Sequence, residues 1–258
     1  MKKCLSLLLA LCLICALATP AWAEPVVWTE DDPSPKTASA LVDAGEVEIR
    51  GTVTLNAPKR LDTNASLSIR LNGTLDMYNE ETSRQAGFRV KTLSIDGSGG
   101  PKGQGVITGG AIGAYTAMRL CDVRIHTVIL NDDTIPAPVY LGNGVTLTLS
   151  GKVTITGNRH WSNERNIYLN KGAKIVVEDL HPDSRIGVTL APNYTDGNET
   201  ADFIVDTKGT PLTAAQLGNC FYQDGDPDQT PITSGMLKDG DVYTGSDPWP
   251  APPAPPAP

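Results

Sequence analysis

Between residues 143 and 190 the chain alternates apolar and polar positions in three runs, NGVTLTLSGKVTITGN, NIYLNKGAKIVVEDL and SRIGVTL. Val145, Leu147 and Leu149 fall on one side, with Thr146, Thr148 and Ser150 on the other, the pattern of a half-buried strand. The same plan occurs upstream. Val47 and Ile49 precede Gly51, with Val53 and Leu55 after it, and Ile69 and Leu71 precede Gly73, with Leu75 and Met77 after it. Leu93 and Ile95 run up to Gly97, and Gly151 again has two apolar pairs around it. These four glycines stand 22, 24 and 54 residues apart, the last step being close to two periods. A short period of this kind means one turn of a coil whose neighbours bury each other's faces. The pattern predicts an all-β chain, a right-handed parallel β-helix (β-solenoid), with glycine at corners where a Cβ would obstruct the chain. A leucine-rich repeat fits less well, because its paired asparagine signature is missing.

The less regular stretches are read around this core. The run AIGAYTAMRLCDVRIHTVIL has helix-forming Ala, Met and Leu, but Leu120, Val123, Ile125, Val128 and Leu130 give it strand periodicity, and it is assigned two strands. TASALVDA, 37–44, predicts a short helix capping the exposed end of the coil, with a strand-like entry as the alternative. DFIVDT reads as one more strand, TPLTAAQLGN as a short helix with Thr213 near its N-cap, and the segment beyond it as a loop with a small terminal hairpin. The proline-rich end, 250–258, would extend about 28 Å as polyproline II. The expected organisation is a signal peptide at 1–23, a lead-in and N-terminal cap at 24–44, the β-helix at 45–207, a C-terminal extension with the short helix and hairpin at 208–247, and a proline-rich linker at 248–258.

Composition changes this picture in its address. Lys2 and Lys3, the apolar run from Leu5 to Leu17 and the small-x-small Ala21-Trp22-Ala23 form a secretory signal. Its apolar core is too short for a membrane span, so no membrane insertion is expected after cleavage. The protein is expected outside the cell, secreted or associated with the cell surface or wall. Removing Lys2 and Lys3 from the 21 basic residues leaves 19 against 29 acidic ones, taking the net charge from −8 to −10. Nucleic acid is a poor partner for such a chain. Aromatics make up only 5 %, so the core must be aliphatic. Cys4, Cys12 and Cys15 leave with the signal, and Cys121 and Cys220 alone exclude a disulfide-dense scaffold. Whether those two pair is open, with a buried thiol the better reading of Cys121.

Residues 151–190 carry a resemblance. Ile155-Thr156-Gly157-Asn158, Asn166-Ile167-Tyr168-Leu169, Gly172 and Ile186-Gly187-Val188-Thr189 stand in the order seen in closing turns of a known group. The segment resembles secreted, adhesin-like right-handed β-helix surface proteins of Gram-positive anaerobes. The resemblance covers these forty residues and implies a surface location and the β-helix fold rather than an activity. Upstream only Val106-Ile107-Thr108-Gly109-Gly110 echoes the group's Gly-Gly-x-Ile-x-Gly-Asn.

Candidate chemistry is sparse. A glycoside hydrolase on this fold needs neighbouring carboxylates, and Asp132 and Asp133, with Arg124 upstream, are the nearest approach. Asn131-Asp132-Asp133 is equally the composition of a turn between strands. A polysaccharide lyase needs a basic residue and usually Ca²⁺, for which Arg159, His160, Arg165 and Arg185 are the candidates. Asp224, Asp226 and Asp228 alternate as Ca²⁺ ligands can, but Gln229 and Gly235 break the EF-hand pattern. Irregular Ca²⁺ binding is therefore the one cofactor left open, and none is the default expectation. Trp161, flanked by Arg159 and His160, is the best aromatic for stacking on a sugar, ahead of Tyr194 and Trp249. The sequence thus points to a non-catalytic surface or adhesin-like module that binds a glycan or an extracellular host or matrix protein. A polysaccharide lyase or hydrolase on the same fold is the alternative, and a structural spacer in a larger surface protein is the third.

Overall fold

The computed structural model describes residues 24–32, 36–55, 60–79, 84–85, 87–126, 128–130, 136–191, 204–208, 218–225, 228, 237–238 and 242–243. The expected signal peptide, Asp132, Asp133, Tyr194, Thr213, Asp226, Trp249 and the proline-rich end lie outside these residues.

Within them the chain is a parallel β-solenoid. Each turn lays strands on three stacks, and each inward position is filled by the same kind of side chain turn after turn. On the first stack Val47, Ile69, Ile95, Leu120, Leu149 and Val177 stand in register. The second aligns Val53, Leu75, Ile107, Ile125, Ile155, Ile186 and Phe221. The third aligns Leu61, Phe88, Ile112, Val139, Ile167 and Val188. Most of these side chains are fully buried, and each aliphatic one contributes roughly 1.5–3 kcal/mol by leaving water. The core is aliphatic, as the scarcity of aromatics requires.

The corner between the first and second stacks explains the spacing of the glycines. Gly51 and Gly73 are in register, and a Cβ on Gly73 would collide with the Gly51 carbonyl. Gly151, at φ 63°, turns the same corner further along. The gap of 54 residues contains one more corner, and there the left-handed backbone belongs to Asp122, at φ 50°. Aspartate tolerates this conformation better than most side chains. Gly97 and Gly151 are thus two turns apart. The run 111–126 is two strands, Ala111–Cys121 and Val123–His126, meeting at that aspartate.

The ends are closed in two ways. Helix Ala38–Ala44 forms as expected, with Thr37 Oγ1 accepting from Ala40 N and Leu41 and Val42 buried under the first turn. Replacing Thr37 with alanine is expected to lower stability by about 1 kcal/mol in denaturant unfolding. The acidic, proline-rich lead-in also contributes a strand. Val26–Trp28 adds a parallel strand beside Val47–Ile49, with Trp28 buried and Val26 and Val27 outward. Its acidic and proline-rich successors hid this three-residue strand. At the other end Ile204–Lys208 extends the first stack and Phe221–Gln223 the second, and Leu237–Lys238 pairs with Val242–Tyr243 as a hairpin. Cys121 and Cys220 are both thiols, not a disulfide. Among the described residues no helix is long and apolar enough to cross a membrane.

Candidate ligand-binding face

The outward positions of the third stack form a ridge of aromatic and arginine side chains. Asp62, Arg89, Gly113, Tyr140, Tyr168 and Thr189 are in register there, one per turn. Parallel stacking at the strand spacing brings equal side chains on successive turns face to face. The rings of Tyr140 and Tyr168 are 6.2 Å apart and 13° from parallel. Gly113 supplies no side chain, so Arg89 lies across its place, with its guanidinium 4.1 Å from the Tyr115 ring centre and 5.6 Å from that of Tyr140. Asp62 holds Arg89 from below, accepting from Nε at 3.1 Å and from Nη2 at 3.4 Å. Arg165 lies over Tyr168 at 5.3 Å. A shallow groove beside this row is lined by Phe88, Ile112, Pro136 and Tyr140. Tyr115 is 41 % exposed, and Tyr140 and Tyr168 are half-buried. The ridge presents flat π faces beside cationic donors, already ordered by their mutual contacts.

Trp161 stands near the start of this stack, in the hairpin Arg159–His160 with Asn163–Glu164. It is 51 % exposed in a left-handed conformation at φ 55°, its backbone N–H donating to Leu130 O. His160 meets it edge-on at 6.4 Å, and Arg159 is exposed beside them. These three are therefore together on one loop. Arg185 is on the second stack, its guanidinium 4.8 Å from the Tyr222 ring, so the four candidate bases do not form one row. Arg124 points outward from the second stack.

Behind the hairpin is a buried polar clamp. Asn166 Nδ2 donates to Asp224 Oδ1 at 2.6 Å, to Tyr222 Oη at 3.2 Å and to Glu164 Oε1 at 3.3 Å. Its backbone N–H and Thr189 Oγ1 both reach Asp224 Oδ2 at 2.7 Å. Asn166 Oδ1 accepts from Asn158 N and Nδ2, and Asn158 in turn bonds Ile125 O and Val128 N. Both asparagines are fully buried. The network spans three turns and ties the segment around Asp224 to the coil. Asp224 is thereby turned inward, while Asp228 is exposed. Glu164 and Asp224 are two carboxylates near enough to influence each other, and their oxygens serve this clamp.

Burial pushes the Asp224 carboxyl up to about 6, against the downward pull of the Asn166 and Thr189 hydrogen bonds, with Glu164 adding to the rise. Burial and the hydrogen bond to Glu164 also push the Tyr222 phenol up. A carboxyl whose folded pKa exceeds its unfolded value binds more protons in the native state. Its contribution is fully present below the unfolded pKa, near 4, and lost as pH rises through about 6. The stability difference between wild type and Asp224→Asn is expected to show this fall between those values. The difference is the useful readout, because His126, pushed down by burial and then by Arg124, titrates with the opposite sign.

No protein-family model, curated protein or solved structure matches the chain. The ridge was missed in the sequence because Tyr115, Tyr140 and Tyr168 occupy ordinary polar positions of alternating runs. Their spacings of 25 and 28 residues, close to one turn each, were the available signal.

Proposed function

We propose that this chain is a secreted, non-catalytic surface module that binds a glycan through the arginine–tyrosine ridge of its third stack. The stacked, in-register pair Tyr140–Tyr168, flanked by Arg89 and Arg165, carries the reading. Pyranose rings offer C–H faces to aromatic rings and hydroxyls to guanidinium donors. A row that repeats once per turn suits an extended polymer lying along the coil axis. The ridge is held by Asp62 and by ring contacts, so little ordering entropy remains to be lost on binding. The secretory signal and the resemblance of residues 151–190 to adhesin-like surface proteins support an extracellular setting. An extended segment of a host or matrix protein is the other partner that such a face accommodates.

The test is a glycan array probed with the purified chain, with and without Ca²⁺, while reducing ends and unsaturated products are assayed in solution. Binding without release is expected. Release of sugar ends would overturn the non-catalytic reading in favour of a hydrolase or lyase. Failure to bind any glycan would overturn the glycan reading and direct the search to protein partners.

A further inference from the structure

A second cluster of chemistry lies at the corner between the first and second stacks, away from the ridge. Asp96, Cys121 and Ser150 occupy the same outward position on three successive turns. Asp122 follows Cys121 at the corner, and its left-handed backbone swings the carboxylate back towards the thiol. Asp122 Oδ2 is 3.4 Å from Cys121 Sγ, and Oδ1 accepts from Lys152 N at 2.7 Å. Gly151 leaves the space this carboxylate occupies, since a Cβ there would collide with it. The ligating atoms of Asp96, Cys121 and Asp122 all lie within 4.8 Å of one another.

An independent feature points the same way. Ser150 is 7 % exposed, and its hydroxyl is buried without a hydrogen-bond partner. Its polar neighbour is the Cys121 thiol, a weak hydrogen-bonding group that does not satisfy it geometrically. A buried hydroxyl in this state normally costs about 1–3 kcal/mol, so a missing partner has a specific place here. The basic side chains flanking the corner are directed elsewhere, Lys152 Nζ to Asp183 at 3.4 Å and Arg119 Nη1 to Glu178 at 2.8 Å.

We propose that this corner is a metal site for a borderline divalent cation such as Zn²⁺, with Cys121 Sγ and carboxylate oxygens of Asp96 and Asp122 as protein ligands and the Ser150 hydroxyl facing the fourth position. One thiolate with oxygen donors suits Zn²⁺ better than Ca²⁺, which takes oxygens alone. Tetrahedral bond lengths of about 2.0–2.3 Å set ligand-to-ligand distances of roughly 3.3–3.6 Å. Asp96 is the exposed member of the set, and its carboxylate would draw in from within the 4.8 Å spread to close the site. Its Oδ1 caps Ser98 N at 2.9 Å, which fixes the side chain near the site. Binding would fasten three turns to one another.

The experiment is a Co²⁺ titration of the chelator-stripped full chain, followed by displacement with Zn²⁺. A single equivalent is expected to give tetrahedral visible bands and a sulfur-to-cobalt charge-transfer band, all lost on adding Zn²⁺. Cys121→Ser removes the charge-transfer band. Asp96→Asn, at an exposed position that should leave the circular dichroism unchanged, weakens Co²⁺ about tenfold or more. Absence of a charge-transfer band in the wild type, its persistence in Cys121→Ser through Cys220, or unchanged affinity in Asp96→Asn would each overturn the proposal.

Discussion

Leucine in place of Asn166 is expected to cost about 3–5 kcal/mol, read as a lower midpoint in guanidinium unfolding. The substitution preserves bulk and removes only the amide. Asp224 then loses its 2.6 Å donor and keeps only the backbone N–H of residue 166 and Thr189. Asn158 loses the acceptor of both its backbone N–H and its side-chain amide. Asn158 is fully buried and Asp224 largely so, so the cost is that of unsatisfied buried groups rather than of one average hydrogen bond. A loss below about 1 kcal/mol would show that the clamp relaxes freely, and that the C-terminal segment is held by apolar packing of Phe221 and Tyr222 alone.

The second large effect concerns the ridge. Changing Tyr140 and Tyr168 together to alanine is expected to weaken binding of an array-positive glycan by about 3 kcal/mol, roughly a hundredfold in Kd. Removing the two rings abolishes the stacked surface, strips Arg165 of the face it rests on and leaves Arg89 with Tyr115 alone. Both side chains point away from the interior, so stability should change far less than affinity. Titration calorimetry on a binding oligosaccharide, with denaturant unfolding alongside, separates the two. Trp161→Ala is the comparison. A larger loss there than in the tyrosine pair would move the site to the hairpin loop.

The coil was legible because its cause is local. A corner selects glycine either for positive φ, as at Gly51 and Gly151, or for close backbone approach, as at Gly73, and a buried face selects aliphatic residues at alternate positions, so these glycines with their flanking pairs mark the turns. The corners that hid themselves are at Asp122 and Asp179, where a residue other than glycine takes the left-handed backbone. Function was less legible because it depends on register between distant turns. Tyr140 meets Tyr168 only through the register of two strands 28 residues apart, and Arg89 reaches Tyr140 only because residue 113 is glycine. Asp224 shows the same limit in reverse. Its alternation with Asp226 and Asp228 suggested a cation site, whereas its partner is an asparagine 58 residues earlier. Asn158 and Asn166 were visible as part of a resemblance, and their role as a paired buried clamp emerges from the stacking of turns.

The most direct measurement is tyrosine nitration of the chain, free and saturated with its best array glycan, with each site quantified by mass spectrometry. Tyr222 is fully buried and serves as the inert reference, and Tyr78, 36 % exposed on a separate hairpin, as the reactive one. The account predicts that the glycan protects Tyr115, Tyr140 and Tyr168 together and leaves Tyr78 as reactive as before. Unchanged reactivity of the three ridge tyrosines in the saturated complex would contradict it.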